Sequence, residues 1–239
     1  MVSEQILERY LRGLLEGDRL NCRTVIEEAL QMSIPAATVY TEVIWPIMVE
    51  IEKLLNAEKI NSAQEHMAMR INRSIVDQLQ NKLPRRPART KKVVVCSAAT
   101  EHGELGAQMM ADLFESDGWQ VRFLGGGVSD DDMLLFVHEH RPDMLLIYGT
   151  IAQRAPAIRK LIDRIKEVNA VPQMRIMVSG GVFNRAEGLW DEIGADLFAP
   201  DAKEALRISV NAKEDEVARH DGHVPRDGRR RRRKSRTAS

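Results

Sequence analysis

The sequence predicts an α/β protein: a five-stranded parallel sheet with helices on both faces, preceded by a four-helix bundle. Three observations predict it. Residues 93–210 alternate short apolar runs with amphipathic segments, and parallel strands need such crossovers. Residues 1–83 show helical spacing almost throughout. Between them residues 84–92, PRRPARTKK, are proline-rich, basic and without period, and read as a linker.

In the first region Ile6, Tyr10, Leu11, Leu14 and Leu15 repeat at helical spacing until Gly17-Asp18 ends the run. Leu20 to Met32 forms a second amphipathic segment. Pro35 suits the first turn of a third helix, which carries Val39, Val43, Ile47, Ile51 and Leu55. Pro46 lies inside it and should kink or split it. Asn61-Ser62 offers the cap for a fourth helix ending near Leu83. Short connections suggest an up-and-down bundle. The fourth helix has two stripes: Ala63, Met67, Ile71, Ile75 and Leu79 for the bundle core, and Glu65, Met69, Asn72 and Val76 on the other side. That second face is one a further domain or a ligand would cover.

Strands are expected at Val93–Ser97, Gln120–Leu124, Met144–Gly149, Arg175–Ser179 and Asp196–Ala199. Helices are expected at Glu104–Ser116, Asp130–His140, Arg154–Val168, Arg185–Ile193 and Ala202–Val210. Right-handed crossovers leave few topologies, and the flavodoxin-like order 2-1-3-4-5 is the choice. From about Asn211 the chain is polar and ends RDGRRRRRKSRTAS, a composition that buries nothing and predicts a disordered basic tail.

Hydrophobic residues make up 44% and charged residues 29%, ordinary for a globular protein. No apolar run approaches the ~20 residues of a membrane helix, and MVSEQILERYL has no basic-then-apolar signal pattern. Two unpatterned cysteines, Cys22 and Cys96, suit a reducing compartment. A cytoplasmic protein is expected. The net charge of zero hides an asymmetry: Arg226 to Ser239 holds eight basic residues and one acidic, so the rest is about −7. An acidic body is not an obvious nucleic-acid binder, and such a role would rest on Arg229–Lys234.

The chemistry concentrates after the first strand, in KVVVCSAATEHGELG. Ligands of open α/β sheets sit outside the carboxyl ends of strands, so His102 should face the ligand crevice. Imidazole is a common metal ligand, and Glu101, Glu104 and Asp130 are candidate partners for its ring. The bland alternative is a solvent-exposed loop histidine. Gly125-Gly126-Gly127, Gly149-Thr150 and Ser179-Gly180-Gly181 follow strands two, three and four. They allow close approach to a bulky ligand, or simply make tight turns. Glu65-His66 on the fourth helix is either a site pair or a solvated polar pair. Asp130 to Asp132 reads as a capped acidic first turn. No GxGxxG, no phosphate loop, no CxxC or HExxH and no catalytic triad stands out.

The arrangement of a helical module, a linker and a flavodoxin-like domain with histidine after strand one resembles the two-domain cobalamin-binding module of methionine synthases, corrinoid methyl carriers and light-responsive cobalamin repressors. The resemblance covers roughly residues 4–208. It rests on YLRGLLEGDRLNCRTVIEEAL, INSAQEHMAMRI and SGGVFNRAEGLWDEIGADLFAPDAKEAL. It implies a corrin held between the helical cap and a Rossmann-like domain. His102 would be the lower axial ligand of cobalt, and Glu65 and His66 would lie above the ring. A displaced nucleotide tail would thread between strands past Gly180 and Gly181. The family motif has two residues between histidine and glycine, whereas three residues separate His102 from Gly106, which puts Gly103 in the matching place. The small-residue position after strand three holds Tyr148, before Gly149 and Thr150. The tryptophan of the repressors falls at Leu55.

The sequence therefore leads to a cobalamin-binding protein with a sensory or regulatory role, favoured because no substrate domain is attached. A methyl carrier serving a separate methyltransferase comes second, a component of methyl transfer rather than a stand-alone enzyme. A cofactor-free interaction scaffold comes third. A homo-oligomer and a regulatory protein partner are compatible with the first reading.

Overall fold

The computed structural model describes residues 2–98 and 101–210, with backbone alone at Glu101 and His102. Helices α1 (Glu4–Glu16) and α2 (Arg19–Gln31) form a tight hairpin. Gly17 turns left-handed at φ 75°, and the Asp18 carboxylate accepts from Asn21 N at 2.9 Å to cap α2.

Next come α3 (Ala36–Val39), a π-helical turn (Tyr40–Ile44) and α4 (Trp45–Asn56) without interruption. Pro46 sits in the first turn of α4. It has no N–H to give, and the widened turn directly before it accommodates the missing bond. The expected kink is therefore a π turn. Helix α5 (Ser62–Gln80) opens with a reciprocal cap between Asn61 and Gln64. From Ala68 on, both of its faces are covered: Ile71, Ile75 and Leu79 on one, Met69, Asn72 and Val76 on the other. Ala63 and Met67, expected in the core, are exposed, with Met67 lying over Gly17 at the end of α1.

The sheet contains β1 (Lys92–Ser97), β2 (Gln120–Gly125), β3 (Met144–Tyr148), β4 (Arg175–Ser179) and β5 (Leu197–Ala199). All pairs are parallel in the order 2-1-3-4-5, as the crossover rule predicts. The crossovers carry α6 (Leu105–Ser116), α7 (Asp130–His140), α8 (Ala155–Val168), α9 (Gly181–Arg185) and α10 (Leu189–Glu192). Residues 202–210 close the fold as α11. The helix expected from Arg185 to Ile193 is broken in two because Gly188, at φ 78°, turns left-handed between the halves. Among the described residues no helix is long and apolar enough to cross a membrane.

Strand alternation divides the core. Val94, Cys96, Leu145 and Ile147 face α7 and α8 in one cluster. Val93, Val95, Leu146 and Tyr148 face α6 and belong to a second cluster that continues through α5 into the bundle. Bundle and sheet share one core across α5. A polar tie crosses the same seam: the Tyr40 hydroxyl lies 3.0 Å from both the Val76 carbonyl and the Asp112 carboxylate. The Gln80 amide donates to the other Asp112 oxygen at 3.0 Å. The segment expected as a plain linker is strapped to the end of α6, with Arg86 N donating to Ser116 O at 3.0 Å and Arg89 N to Gly118 O at 2.7 Å.

Burial pushes the Asp112 carboxyl up to about 6, against the pull of Tyr40 and Gln80. A carboxyl raised on folding contributes stability that is complete below its unfolded value, near 3.9, and is lost as pH rises through about 6. Asp112→Asn removes that titration. Between pH 4 and pH 7 the unfolding free energy of the wild type should fall relative to Asp112→Asn by on the order of 2–3 kcal/mol. Urea unfolding at stepped pH checks this, and a difference independent of pH contradicts it.

Candidate functional site

Between the bundle and the carboxyl edge of the sheet lies a crevice of about 720 Å3. Its position follows from topology, since β1, β3 and β4 end there and their turns open outward. From α4 it is lined by Trp45, Met48 and Glu52, and from α5 by Glu65, His66 and Met69. From the sheet side come Gly103, Tyr148, Thr150, Gly180, Gly181 and Arg185. The walls are mainly apolar, with charged groups at the rim.

An ion pair crosses the mouth: Arg185 Nη1 donates to Glu52 at 2.5 Å, and Arg185 Nη2 to the Thr150 carbonyl at 2.7 Å. A Cβ on Gly181 would lie 2.7 Å from both Arg185 Nη1 and Glu52 Oε2, so glycine is what leaves room for this pair. His66 Nε2 is 3.5 Å from Glu65 Oε2. Outside the crevice lining, Glu104 accepts from Gly126 N at 2.6 Å and lies 3.5 Å from Arg73, which ties the turn after β1 to α5 and to the Gly125-Gly126 turn. Tyr148 is 4% exposed, and its ring meets Trp45 edge-on at 6.2 Å. Burial first, and Glu52 second, hold the phenol above its usual range, while Arg185 opposes them.

The candidate residues divide. Glu65, His66, Gly103, Tyr148, Thr150, Gly180 and Gly181 meet at the crevice. Gly106 lies beneath Tyr148 instead. Gly149 packs against Ile158, Phe183 and Val182 on the far face, and Ser179 is fully buried, its hydroxyl donating to Ala199 O at 2.7 Å. These three shape the crevice from behind. The side chains of Glu101 and His102 lie outside the described residues, and only their backbone is seen, in a 3-10 turn Glu101–Glu104. Among the described residues no group of three His, Cys, Asp or Glu side chains is placed to hold a metal. Trp45, Met48, Glu52 and Arg185 were not among the candidates. Trp45 beside the helix-breaking Pro46 was the available signal; the Glu52–Arg185 pair joins residues 133 positions apart.

A helical cap over the carboxyl edge of a parallel sheet, with a large, mainly apolar crevice between them, is a two-part arrangement with room for a sizeable ligand. Residues 6–80 and residues 91–208 each match a B12 binding domain family, the first that of the helical cap and the second that of the sheet domain. The chain belongs to the cobalamin-binding two-domain family. Its sequence is similar to monomethylamine corrinoid protein 2 of Methanosarcina acetivorans, with 21% identity over 217 residues, covering 88% of this chain and 99% of the relative. It is also similar to dimethylamine corrinoid protein 3 of Methanosarcina mazei, 25% identical over 134 residues, 55% of this chain and 78% of the relative. In fold it resembles the Methanosarcina barkeri monomethylamine corrinoid protein, with a TM-score of 0.79 at 18% identity, covering 88% of this chain and all of that one.

The crevice fits a corrin in kind: apolar faces for the macrocycle, and charged and backbone groups at the rim for its amide side chains. Its shape depends on Gly180, at φ 106° with an implied Cβ inside the Gly149 carbonyl. Gly180→Ala should destabilise the protein by on the order of 2 kcal/mol or more. Gly188 is also left-handed, at φ 78°, but has open space around it, and Gly188→Ala should cost about 1 kcal/mol. Denaturant midpoints check both, and equal effects contradict the close approach of Gly180 to Gly149.

Proposed function

We propose that this chain is a corrinoid methyl carrier serving a separate methyltransferase. The observation that carries this reading is the likeness to monomethylamine corrinoid proteins over 99% of their length, through cap and sheet together. It favours the carrier over the sensory or regulatory role expected from the sequence. In this reading residues 1–83 are the cap, 84–92 the connecting strap and 93–210 the lower half of the site. Glu65 and His66 stand on the upper side of the ring, and His102 is the candidate lower ligand.

The cobalt of a bound corrin supplies a centre that accepts a methyl group and gives it up. The protein's part is to hold and to shield. Trp45, Met48 and Met69 offer an apolar lid that excludes water. Gly180 and Gly181 let the backbone approach the ring edge. Arg185, held by Glu52 and Thr150, has further N–H groups to offer a corrin amide. The Glu52–Arg185 pair is only partly shielded, with side chains 29% and 47% exposed, so it closes the mouth without locking it. A carrier needs such a mouth, because its partner must reach the upper face.

The test is transfer. The chain is loaded with hydroxocobalamin in the dark, desalted, reduced and mixed with methylamine and a methylamine-specific methyltransferase. The expected result is retention of about one corrinoid per chain and a methylation-dependent change in the absorption spectrum. Retention without transfer to or from any methyltransferase, coupled to a light-driven change in oligomer size, would overturn the carrier reading in favour of a sensor.

A further inference from the structure

A second groove lies away from the crevice, where α5, α6 and the edge strand β2 meet. It encloses about 390 Å3. Val121 and Phe123 form its apolar floor, and the Phe123 ring is 36% exposed there. Asp77 of α5 and Asp112 and Glu115 of α6 line the same groove. Burial, then Glu115 and Asp77, push the Asp112 carboxyl up, as crowded like charges do. Both Asp112 oxygens are already held, one by Tyr40 and the other by Gln80. Asp77 accepts from the Gln108 amide at 2.7 Å through one oxygen. Among the described residues no arginine or lysine pairs with any of the three carboxylates. The cations nearby are engaged elsewhere: Arg73 with Glu104, Arg86 and Arg89 with Asp117, and Lys91 with Asp143.

An exposed aromatic floor beside carboxylates without cations suits arginine. A guanidinium stacks on a ring face and turns its N–H groups to carboxylate oxygens. The chain itself carries such a segment: Arg229–Lys234 is six cations in succession. Its point of departure is close to the groove. Helix α11 lies on the same face of the sheet as α6, and near its end Ser209 Oγ is 3.7 Å from Met144 Sδ at the start of β3. Met144 and Val121 both pair with Val93, from opposite sides, so they are two strand spacings, ~10 Å, apart. Arg229 follows Val210 by 19 residues, a length that reaches up to ~60 Å. A covalent tether also raises the local concentration of the segment at the groove. We propose that Arg229–Lys234 docks in the groove between α5, α6 and β2 of its own chain, with guanidinium groups over Phe123 and paired with Asp77 and Glu115. The basic segment is then held against the acidic body rather than offered to nucleic acid. This contact does not depend on what fills the crevice.

The experiment uses the full chain, labelled with nitrogen-15 and carrying a nitroxide on Ser235→Cys; Cys22 and Cys96 are buried and stay unlabelled in the folded protein. At low salt the nitroxide should cost amide signals their intensity in residues 73–80, 108–115 and 121–123, which frame the groove. The intensity should return at about 1 M salt, where the screening length falls to ~3 Å. It should also return in the Asp77→Asn, Glu115→Gln double variant, and when Arg229 to Arg233 are replaced by glutamine. The second replacement leaves residues 1–210 untouched, so it decides the matter even if the double variant folds poorly. Loss of intensity at another surface, or at none, overturns the proposal. So does a loss at the groove that survives either set of substitutions. A loss that appears when unlabelled-nitrogen chains carrying the nitroxide are mixed with nitrogen-15 chains lacking it assigns the groove to a second copy and overturns docking within one chain. No loss anywhere, with a DNA duplex bound by the wild type and released by the glutamine variant, overturns it in favour of nucleic acid.

Discussion

Everything in this structure depends on α5 being buried on two sides. A helix with one apolar face would complete the bundle and present its other face to water. Here Ile71, Ile75 and Leu79 enter one side of the core while Met69 and Val76 enter the other, and a single cluster runs from α1 to β4 and β5. Asn72 is fully buried within this helix and accepts the Tyr10 hydroxyl at 2.7 Å. The deep part of the cap is therefore continuous with the sheet domain. Toward the N-terminal end of α5 that packing gives out, and the two halves diverge into a crevice. The upper half of the site is set by where the weld stops.

This explains why the crevice combines rigid and adjustable parts. Its floor is built from the ends of central strands and from glycines whose backbones touch. Its roof is one face of α4, from Trp45 to Asn56, and the first turns of α5, held across the mouth by the partly exposed Glu52–Arg185 pair. An exposed pair contributes ~0–1 kcal/mol, small beside the apolar seam below it. A rigid floor with a weakly tied roof suits a protein that must keep a large planar cofactor and still present one face of it to others.

Much of the architecture was legible in the sequence because it follows local rules. Five strands separated by crossovers leave few strand orders, of which the chosen one is observed, and caps such as Asp18 and Asn61 mark their helices directly. What was not legible depends on packing. Pro46 announced a disturbance, but whether the chain kinks or widens into a π turn is decided by what Trp45 and Tyr40 pack against. PRRPARTKK looked like a free linker, and its docking rests on carbonyls at the far end of α6. Of the residues lining the crevice, Glu65, His66, Gly180 and Gly181 were singled out because they sit in recognisable local patterns. Trp45, Glu52 and Arg185 were missed because only the folded chain brings them together. Tyr148 was noted as an intruder among small residues; that it would lie over Gly106 is a tertiary fact.

The most direct test of a corrinoid held between cap and sheet is amide hydrogen exchange of the full chain with and without bound hydroxocobalamin. The account predicts added protection in residues 45–52, 62–69, 148–152 and 180–185, with little change in α7 and α8 on the opposite face of the sheet. Protection confined to another surface, or equal exchange in the two states despite retained corrinoid, would contradict it.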